Sequence, residues 1–276
     1  MMFRTYIVFI VATLWKPALM LDVYNCTKDS VMSTVASFSC DQNARLESAI
    51  VNFMSAVAAV NKRIDDECIK KNSAQDSCRN VTSVDPRPVV VLAYGLKVMC
   101  DTKTDGGGWT IIQRRINGKV DFQRSFNEYR DGFGDFTSGE FYLGNENIYR
   151  LTTSRQYELR IDLEYKNVKY YARYSSFKLA GEKDNYRLNI QGYSGNMTDH
   201  MLYHQNKPFT AYDRDNDDCT VNCAVEFTGG WWFSNCHEAN LNGLWGSVAY
   251  GKGIKWATLT GDNSSANFVE MKIREK

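Results

Sequence analysis

The sequence predicts an α+β fold for the larger, C-terminal part of the chain, preceded by a helical segment. Apolar residues alternate with polar ones over 157–163 (YELRIDL), and Trp109 and Ile111 repeat this two-residue spacing, which is typical of half-buried strands. Glycine turns such as 106–108 separate these runs, with short helix-compatible stretches between them. Residues 21–77 differ in composition, because 22–77 contain neither tryptophan nor glycine.

Residues 1–20 are predicted to be a secretory signal peptide. Arg4 supplies the positive charge, and residues 5–15 form an apolar run of eleven residues, which is too short to span a bilayer. The alternative is a buried first helix. We expect a secreted, extracellular protein with no membrane span.

Residues 21–77 are predicted to be a helical oligomerisation segment. Apolar residues recur there at heptad spacing, which favours a short coiled coil in a homo-oligomer: Leu46, Ile50, Phe53, Val57, Val60 and Ile64. An amphipathic helix that packs on the main domain of its own chain remains open as the alternative. Three cysteines of this segment (Cys26, Cys40 and Cys68) are candidates for interchain bridges.

The eight cysteines predict a disulfide framework formed in an oxidising compartment. Four Asn-x-Ser/Thr sequons agree with secretion and are the predicted glycosylation sites: Asn25, Asn80, Asn196 and Asn263.

Several classes of function are disfavoured by the composition. A net charge of +1 gives no field that would gather nucleic acid. The three histidines are not accompanied by GxSxG, HExxH or a paired-cysteine zinc pattern, so we predict that the protein is not an enzyme. His200 and His204 have the i, i+4 spacing of a metal pair but lack a third ligand in the sequence.

An acidic loop opens the most informative stretch of the chain, residues 212–243. The carboxylate oxygens clustered in such a loop suit calcium, which takes six to eight oxygen ligands in proteins. The EF-hand pattern does not fit, because Asp218 stands at its glycine position and Ala224 at its glutamate position. The alternating carboxylates are Asp213, Asp215 and Asp217.

The stretch 212–243, together with 100–152 (CDTKTDGGGWTIIQRRINGKVDFQRSF and onward), resembles the fibrinogen C-terminal domain, the globular module of fibrinogens, ficolins, tachylectins and angiopoietins. The resemblance covers residues 78–276. It implies a mixed central sheet and a loop-rich C-terminal part that holds calcium and ligand sites. It also implies the bridges Cys78–Cys100 and Cys223–Cys236, and it leaves the partner of Cys219 unassigned.

Calcium ligands can be carried over from the family by their offsets from Cys223. The carboxylates then fall on Asp215 and Asp217, and the two backbone carbonyls fall on Cys219 and Val221. Side chains vary freely at carbonyl positions, so a cysteine there is compatible with the site. The expected cofactor is Ca²⁺.

An acetyl-binding pocket is implied by the lectin branch of the family. Its core would be a cis peptide bond between Asn235 and Cys236, followed by His237. The predicted wall consists of Phe227, Tyr250 and Gly251. The chain departs from the family at Asp262, which stands where acetyl-binding members carry an aromatic residue whose hydroxyl bonds the acetamido N–H.

Two functions remain open on this reading. The first is a secreted, calcium-dependent lectin that binds acetylated glycans in innate immunity, which His237 and Tyr250 favour. The second is an angiopoietin-like receptor ligand or extracellular interaction protein whose partner is a protein. Phe227, Cys219 and Asp262 favour the second.

Overall fold

The computed structural model describes residues 45–62 and 76–276. The chain divides into two compact units, 1–72 and 73–276. In the first unit a helix, α1, spans residues 45–62 and lies within the predicted helical segment 21–77. The signal peptide, Cys26, Cys40, Cys68 and Asn25 lie outside the described residues, and the predicted boundary at residue 78 stays a prediction. Neither described range holds a helix both long and apolar enough to cross a membrane.

The second unit is an α+β domain, as predicted. Its helices are short: α2 (Phe126–Asp131), α3 (Asn145–Ser154), α4 (Cys223–Glu226) and α5 (Ala257–Thr260). Its strands are β1 (Val89–Val91), β2 (Lys97–Asp101), β3 (Trp109–Arg115), β4 (Phe133–Asp135), β5 (Glu140–Tyr142), β6 (Tyr157–Tyr165), β7 (Val168–Leu179), β8 (Leu188–Gly195), β9 (Ala239–Asn240), β10 (Lys255–Trp256) and β11 (Phe268–Glu275).

The main sheet has the strand order β1-β2-β3-β11-β6-β7-β8, and β5 pairs with β3 and β4 beside this path. Every pairing between these strands is antiparallel, where a mixed sheet was expected. The reason lies in the connections: β6, β7 and β8 follow one another as hairpins, and β11 returns to pair antiparallel with both β3 and β6. Antiparallel neighbours need only such tight turns.

The turn between β6 and β7 shows how the local sequence sets this pairing. Tyr165 pairs with Val168 across a two-residue loop. Both loop residues have positive φ, 50° at Lys166 and 63° at Asn167. This is the backbone of a type I′ turn, whose twist matches that of the flanking strands and which asparagine tolerates well.

Burial follows the predicted alternation along most of β6, where Glu158 is a buried exception, and departs from it in β3. The apolar residues of 157–163 point into the core. In β3, by contrast, Gln113 and Arg115 are buried as well. The C-terminal loops cover these two side chains: Gln113 Nε2 donates to the carbonyl of Leu241 at 2.8 Å, and Arg115 Nη1 to that of Gly243 at 2.8 Å. The sheet therefore holds the loop-rich part in place.

The loop-rich part has an aromatic core. Trp231 and Trp232 are completely buried with ring centroids 5.0 Å apart, which confirms their predicted place in the core. His204 Nδ1 donates to the carbonyl of Trp232 at 2.8 Å, and its Nε2 accepts from the N–H of Ala239 at 3.1 Å. Both nitrogens of His204 are therefore used in packing, so the i, i+4 pair with His200 is structural.

Both predicted disulfides are present. Cys78–Cys100 ties the start of the domain to β2, and Cys223–Cys236 ties the start of α4 to the turn that precedes His237. Among the described residues, Cys219 is the free cysteine.

Candidate functional site

The acidic loop is organised by Asp217. Its two carboxylate oxygens accept from the backbone N–H groups of Cys219 and Cys223, each at 3.0 Å. The N–H of Asp217 itself donates to Asp215 Oδ1 at 3.2 Å. The two predicted carboxylate ligands are thus neighbours, and the loop of residues 217–223 is folded around one of them.

The electrostatics of Asp217 favour a cation beside it. Burial raises the pKa of its carboxyl, the negative charge of Asp215 adds to this, and the hydrogen bonds from Cys223 and Cys219 act in the opposite direction. A raised pKa means that the local field disfavours the charged carboxylate. A divalent cation between the two aspartates would reverse that effect.

The two predicted carbonyl ligands are available. Within 45–62 and 76–276, the carbonyl oxygens of Cys219 and Val221 accept no hydrogen bond. Carboxylate and backbone carbonyl oxygens are the donors that calcium takes in proteins, so the residues present suit that ion.

The other two aspartates of the loop have structural partners. Asp213 Oδ1 accepts from the N–H of Phe126 at the start of α2, at 2.7 Å. Asp218 forms an ion pair with Lys207 and accepts from Ser234 Oγ at 3.0 Å. Asp215 and Asp217 are therefore the pair left for a metal.

Two of the predicted pocket residues, Phe227 and Gly251, lie against each other beside His237. The Asn235–Cys236 peptide bond is cis, as the resemblance implies. The rings of Phe227 and His237 meet edge to face with centroids 4.7 Å apart. A Cβ on Gly251 would lie 2.6 Å from the Phe227 ring, so only glycine fits there. Tyr250 differs from this group, because its side chain is 65% exposed.

Hydrogen-bond capacity is left unused at this point. In the described part of the chain, the backbone N–H groups of Cys236 and His237 have no acceptor. The ring nitrogens of His237 are buried and also without a partner. Burial lowers the pKa of His237 to about 3, with Lys255 adding to the effect, so the imidazole is neutral at physiological pH. The site therefore presents neutral donors beside an apolar wall.

A residue that the sequence analysis missed, Lys255, completes the site. Its Nζ lies 2.5 Å from Asp262 Oδ1 and 3.5 Å from the carbonyl of His237. The carbonyl of Asp262 accepts from the N–H of Gly251 at 2.7 Å. Hydrogen bonds thus hold both the side chain and the backbone of Asp262 in place. Lys255 carried no local signal, since it sits in the two-residue strand β10.

Three of the four predicted glycosylation sites lie in the described residues and are exposed: Asn80, Asn196 and Asn263. Asn263 Nδ2 donates to the carbonyl of Val248 at 3.3 Å. Glycosylation at all four sites stays a prediction.

The domain thus combines an antiparallel sheet and two internal disulfides with loops that bring unpaired hydrogen-bond donors together, an arrangement suited to binding a ligand. The family described as the C-terminal globular domain of fibrinogen beta and gamma chains matches residues 65–276. The chain belongs to this fibrinogen C-terminal domain family, whose members bind and do not catalyse.

Among similar proteins, rat (Rattus norvegicus) tenascin-R is 44% identical over 183 residues, which is 66% of this chain and 13% of tenascin-R. Human fibrinogen C domain-containing protein 1 is 46% identical over 189 residues, 65% of this chain and 41% of that protein. The chain thus spans less than half of the length of either relative.

Two solved structures are also similar. The fibrinogen-like globe domain of human ANGPTL6 has a TM-score of 0.70 at 36% identity, covering 73% of this chain and 96% of that one. The lamprey fibrin D-dimer, solved with the peptide ligand Gly-His-Arg-Pro-amide, has a TM-score of 0.63 at 28% identity, covering 86% and 91%.

Proposed function

We propose that this chain is a secreted recognition protein whose globular domain binds acetylated glycans when calcium occupies the acidic loop. The observation that carries the proposal is the pair of unpaired N–H groups at Cys236 and His237. They lie beside the apolar surface formed by Phe227 and Gly251.

An acetamido group matches this arrangement atom by atom. Its carbonyl oxygen is the acceptor that the two N–H groups lack, and its methyl group suits the Phe227 ring. Its N–H needs an acceptor, and Asp262 offers one, because Oδ1 pairs with Lys255 while Oδ2 has no partner in the described residues. Unpaired polar groups in a buried site reject ligands that cannot satisfy them.

Retention on immobilised N-acetylglucosamine tests this proposal. We expect the full chain to bind the resin in calcium, to elute with free N-acetylglucosamine, and to ignore a glucosamine resin that lacks the acetyl group. Asp262→Ala should weaken retention because the acceptor for the acetamido N–H is lost. Glu226→Ala, at an exposed carboxylate at the end of helix α4, is the matched control and should bind like the wild type. Equal retention on both resins, or none on either, would refute sugar recognition through the acetyl group.

Calcium is expected to raise the melting temperature of the domain through Asp215 and Asp217. A ligand that binds only the native state at a hundred times its Kd stabilises it by about 2.7 kcal/mol. For a domain of this size that is about 5–10 °C in Tm. Thermal unfolding with calcium and with chelator measures the shift.

Asp217→Asn should abolish the calcium-dependent shift. Asp218→Asn is the control that should retain it, because Asp218 pairs with Lys207. A wild-type Tm that is the same in calcium and in chelator would eliminate the calcium site.

A protein partner is the second candidate function, and a specific surface feature favours it. The loops and the short helix α4 around the site expose apolar side chains, each more than half accessible: Val221, Val225, Leu244, Val248 and Tyr250. Exposed apolar side chains on neighbouring loops are a feature of protein-binding surfaces. The peptide bound to the lamprey relative gives a precedent within the fold. Failure on every acetylated resin, together with binding to an extracellular protein, would favour this candidate.

Assembly into a homo-oligomer through residues 21–77 is also proposed. Helix α1 exposes apolar side chains at heptad positions, among them Leu46, Phe53 and Val60. We expect non-reducing gels of the secreted protein to show a covalent oligomer that dithiothreitol converts to monomer. Phe53→Glu should shift the mass measured in solution after reduction toward the monomer, whereas Asn52→Glu, one position away, should not. A monomer mass for the unreduced wild type would contradict the proposal.

A further inference from the structure

Three cysteine sulfurs form a cluster between the acidic loop and the pocket. The Sγ atoms of Cys219, Cys223 and Cys236 all lie within 4.8 Å of one another. Two of them form the Cys223–Cys236 disulfide, and Cys219 is a free thiol that is partly accessible. A thiol beside a disulfide is the starting geometry of thiol–disulfide exchange, in which a thiolate attacks one sulfur of the bridge.

We propose that Cys219 exchanges with this disulfide, so that the domain interconverts between a Cys223–Cys236 bridge and a Cys219–Cys236 bridge. In the forward step the Cys219 sulfur gives up its proton and attacks the sulfur of Cys236. The Cys219–Cys236 bond forms, the Cys223–Cys236 bond breaks, and the Cys223 sulfur leaves and takes up a proton. One disulfide and one thiol are present before and after, so the step needs neither an oxidant nor a reductant.

The burial of the three residues decides which sulfur is released. Cys219 and Cys236 are both partly exposed, whereas Cys223 is completely buried. The Cys223 sulfur lies 3.7 Å from the carbonyl oxygen of Ser234. As a thiol, Cys223 would therefore find a hydrogen-bond acceptor already in place, and a small buried thiol packs like an apolar group.

The distances and the loop lengths permit the exchange. A disulfide bond is about 2.0 Å long, so the Cys219 and Cys236 sulfurs, which lie within 4.8 Å, need to approach by less than about 3 Å. The entropy of closing a loop depends only on the logarithm of its length. The bridge from Cys219 encloses four residues more than the one from Cys223, so neither bridge is strongly preferred on that ground.

Exchange would link two parts of the site that are separate in the sequence. Cys219 lies in the acidic loop, where its N–H donates to Asp217, and Cys236 precedes His237 in the pocket. A Cys219–Cys236 bond joins these two segments directly. The proposal concerns connectivity alone and stands whether or not the pocket takes an acetylated sugar.

Mapping of the alkylated cysteine tests the exchange. The full-length secreted protein is incubated natively in a series of reduced and oxidised glutathione mixtures and then quenched with N-ethylmaleimide in denaturant, so that the buried Cys223 thiol is also accessible to the reagent. Glutamyl endopeptidase then cleaves after Glu226, which separates Cys236 from the other two cysteines. Fragmentation of the linked peptides locates the maleimide on Cys219 or on Cys223. Cys78–Cys100 serves as the internal control, because both of its sulfurs are buried and no third cysteine of the described residues adjoins it.

We expect part of the wild type to carry maleimide on Cys223 with Cys219 joined to Cys236, while Cys78–Cys100 stays intact. Labelling of Cys223 should fall by about tenfold or more in Cys219→Ser, because the neighbouring nucleophile is gone. Maleimide on Cys219 in every bridged molecule of the wild type, across the whole series, would overturn the proposal.

Cys223→Ser gives an independent measurement. With Cys223 absent, Cys219 and Cys236 should pair in the secreted protein, and neither should react with maleimide under denaturing conditions. Two reactive thiols at these positions in a folded variant would contradict the exchange. If the variant is not secreted, the glutathione series on the wild type decides the question by itself.

Discussion

Replacing Glu140 by Gln is expected to destabilise the globular domain by about 3–5 kcal/mol, the usual cost of breaking a buried charge arrangement on one side. Glu140 is completely buried, and its Oε1 accepts from the N–H groups of Ile116, Asn117 and Gly118 at 2.9–3.1 Å. Its Oε2 accepts from the N–H of Val120 at 3.0 Å. A glutamine would turn one acceptor into an NH₂ donor that faces donors.

The charge of Glu140 also balances the buried Arg115, whose Nε lies 3.8 Å from Oε1. Chemical denaturation of the variant measures the loss. Glu182→Gln, at an exposed carboxylate 3.9 Å from Arg130, is the control and should change the free energy of unfolding by less than about 1 kcal/mol. A loss at Glu140 no larger than that of the control would show that the loop does not depend on the charge.

In the wild type, acid should remove the stability that the ionised Glu140 carboxylate contributes. Burial alone would raise the pKa of Glu140, but the four backbone hydrogen bonds outweigh it and lower the pKa below its ordinary value. A lowered folded-state pKa stabilises the protein above the ordinary pKa of about 4.5, and this stability is lost as the pH falls below it. The variant should lose less stability than the wild type over that acidic range.

Replacing Lys272 by Met is expected to cost a similar amount, about 3–5 kcal/mol. Lys272 is buried in the central strand β11, where its Nζ lies 2.6 Å from Asp101 Oδ2, 2.8 Å from Glu270 Oε1 and 2.6 Å from Asp162 Oδ2. Burial would lower the pKa of Lys272, but the three carboxylates outweigh it and raise the pKa. Methionine has a similar side-chain volume but removes the positive charge that the three carboxylates share.

Arg150→Met is the matched control for Lys272→Met. Arg150 pairs with Glu146 at 2.9 Å on the exposed surface of α3, and such pairs contribute about 0.5 kcal/mol. Equilibrium denaturation should show a much larger loss in the free energy of unfolding for Lys272→Met than for Arg150→Met. Equal, small losses would mean that Arg87 and Arg114, which also contact Glu270, are sufficient to balance the cluster.

Features with a local signature could be predicted from the sequence. The alternation over 157–163 gave β6 because half-buried strands repeat every two residues. The two disulfides, and the choice of Asp215 and Asp217 as a pair, followed from the resemblance of long motifs to the fibrinogen C-terminal domain family. Helix α1 was recognisable from its apolar heptad positions.

Features that depend on how separate segments of the chain pack against one another could not be predicted. The Lys255–Asp262 pair depends on how β10 packs beside the pocket, which no local pattern encodes. The neighbours of Cys219 depend on where the loop folds over the bridge. The antiparallel sense of the sheet depends on β11, since a strand's partners are set by topology and not by its own residues.

The place of β11 has a consequence for biosynthesis. Residues 268–275 pair with β3 on one side and β6 on the other, so the strand made after all the others occupies the middle of the sheet. Before β11 is made, nothing in the sheet joins β3 to β6, so both strands would have an open edge that can pair with foreign strands. The nascent chain must therefore be protected until its final strand closes the sheet.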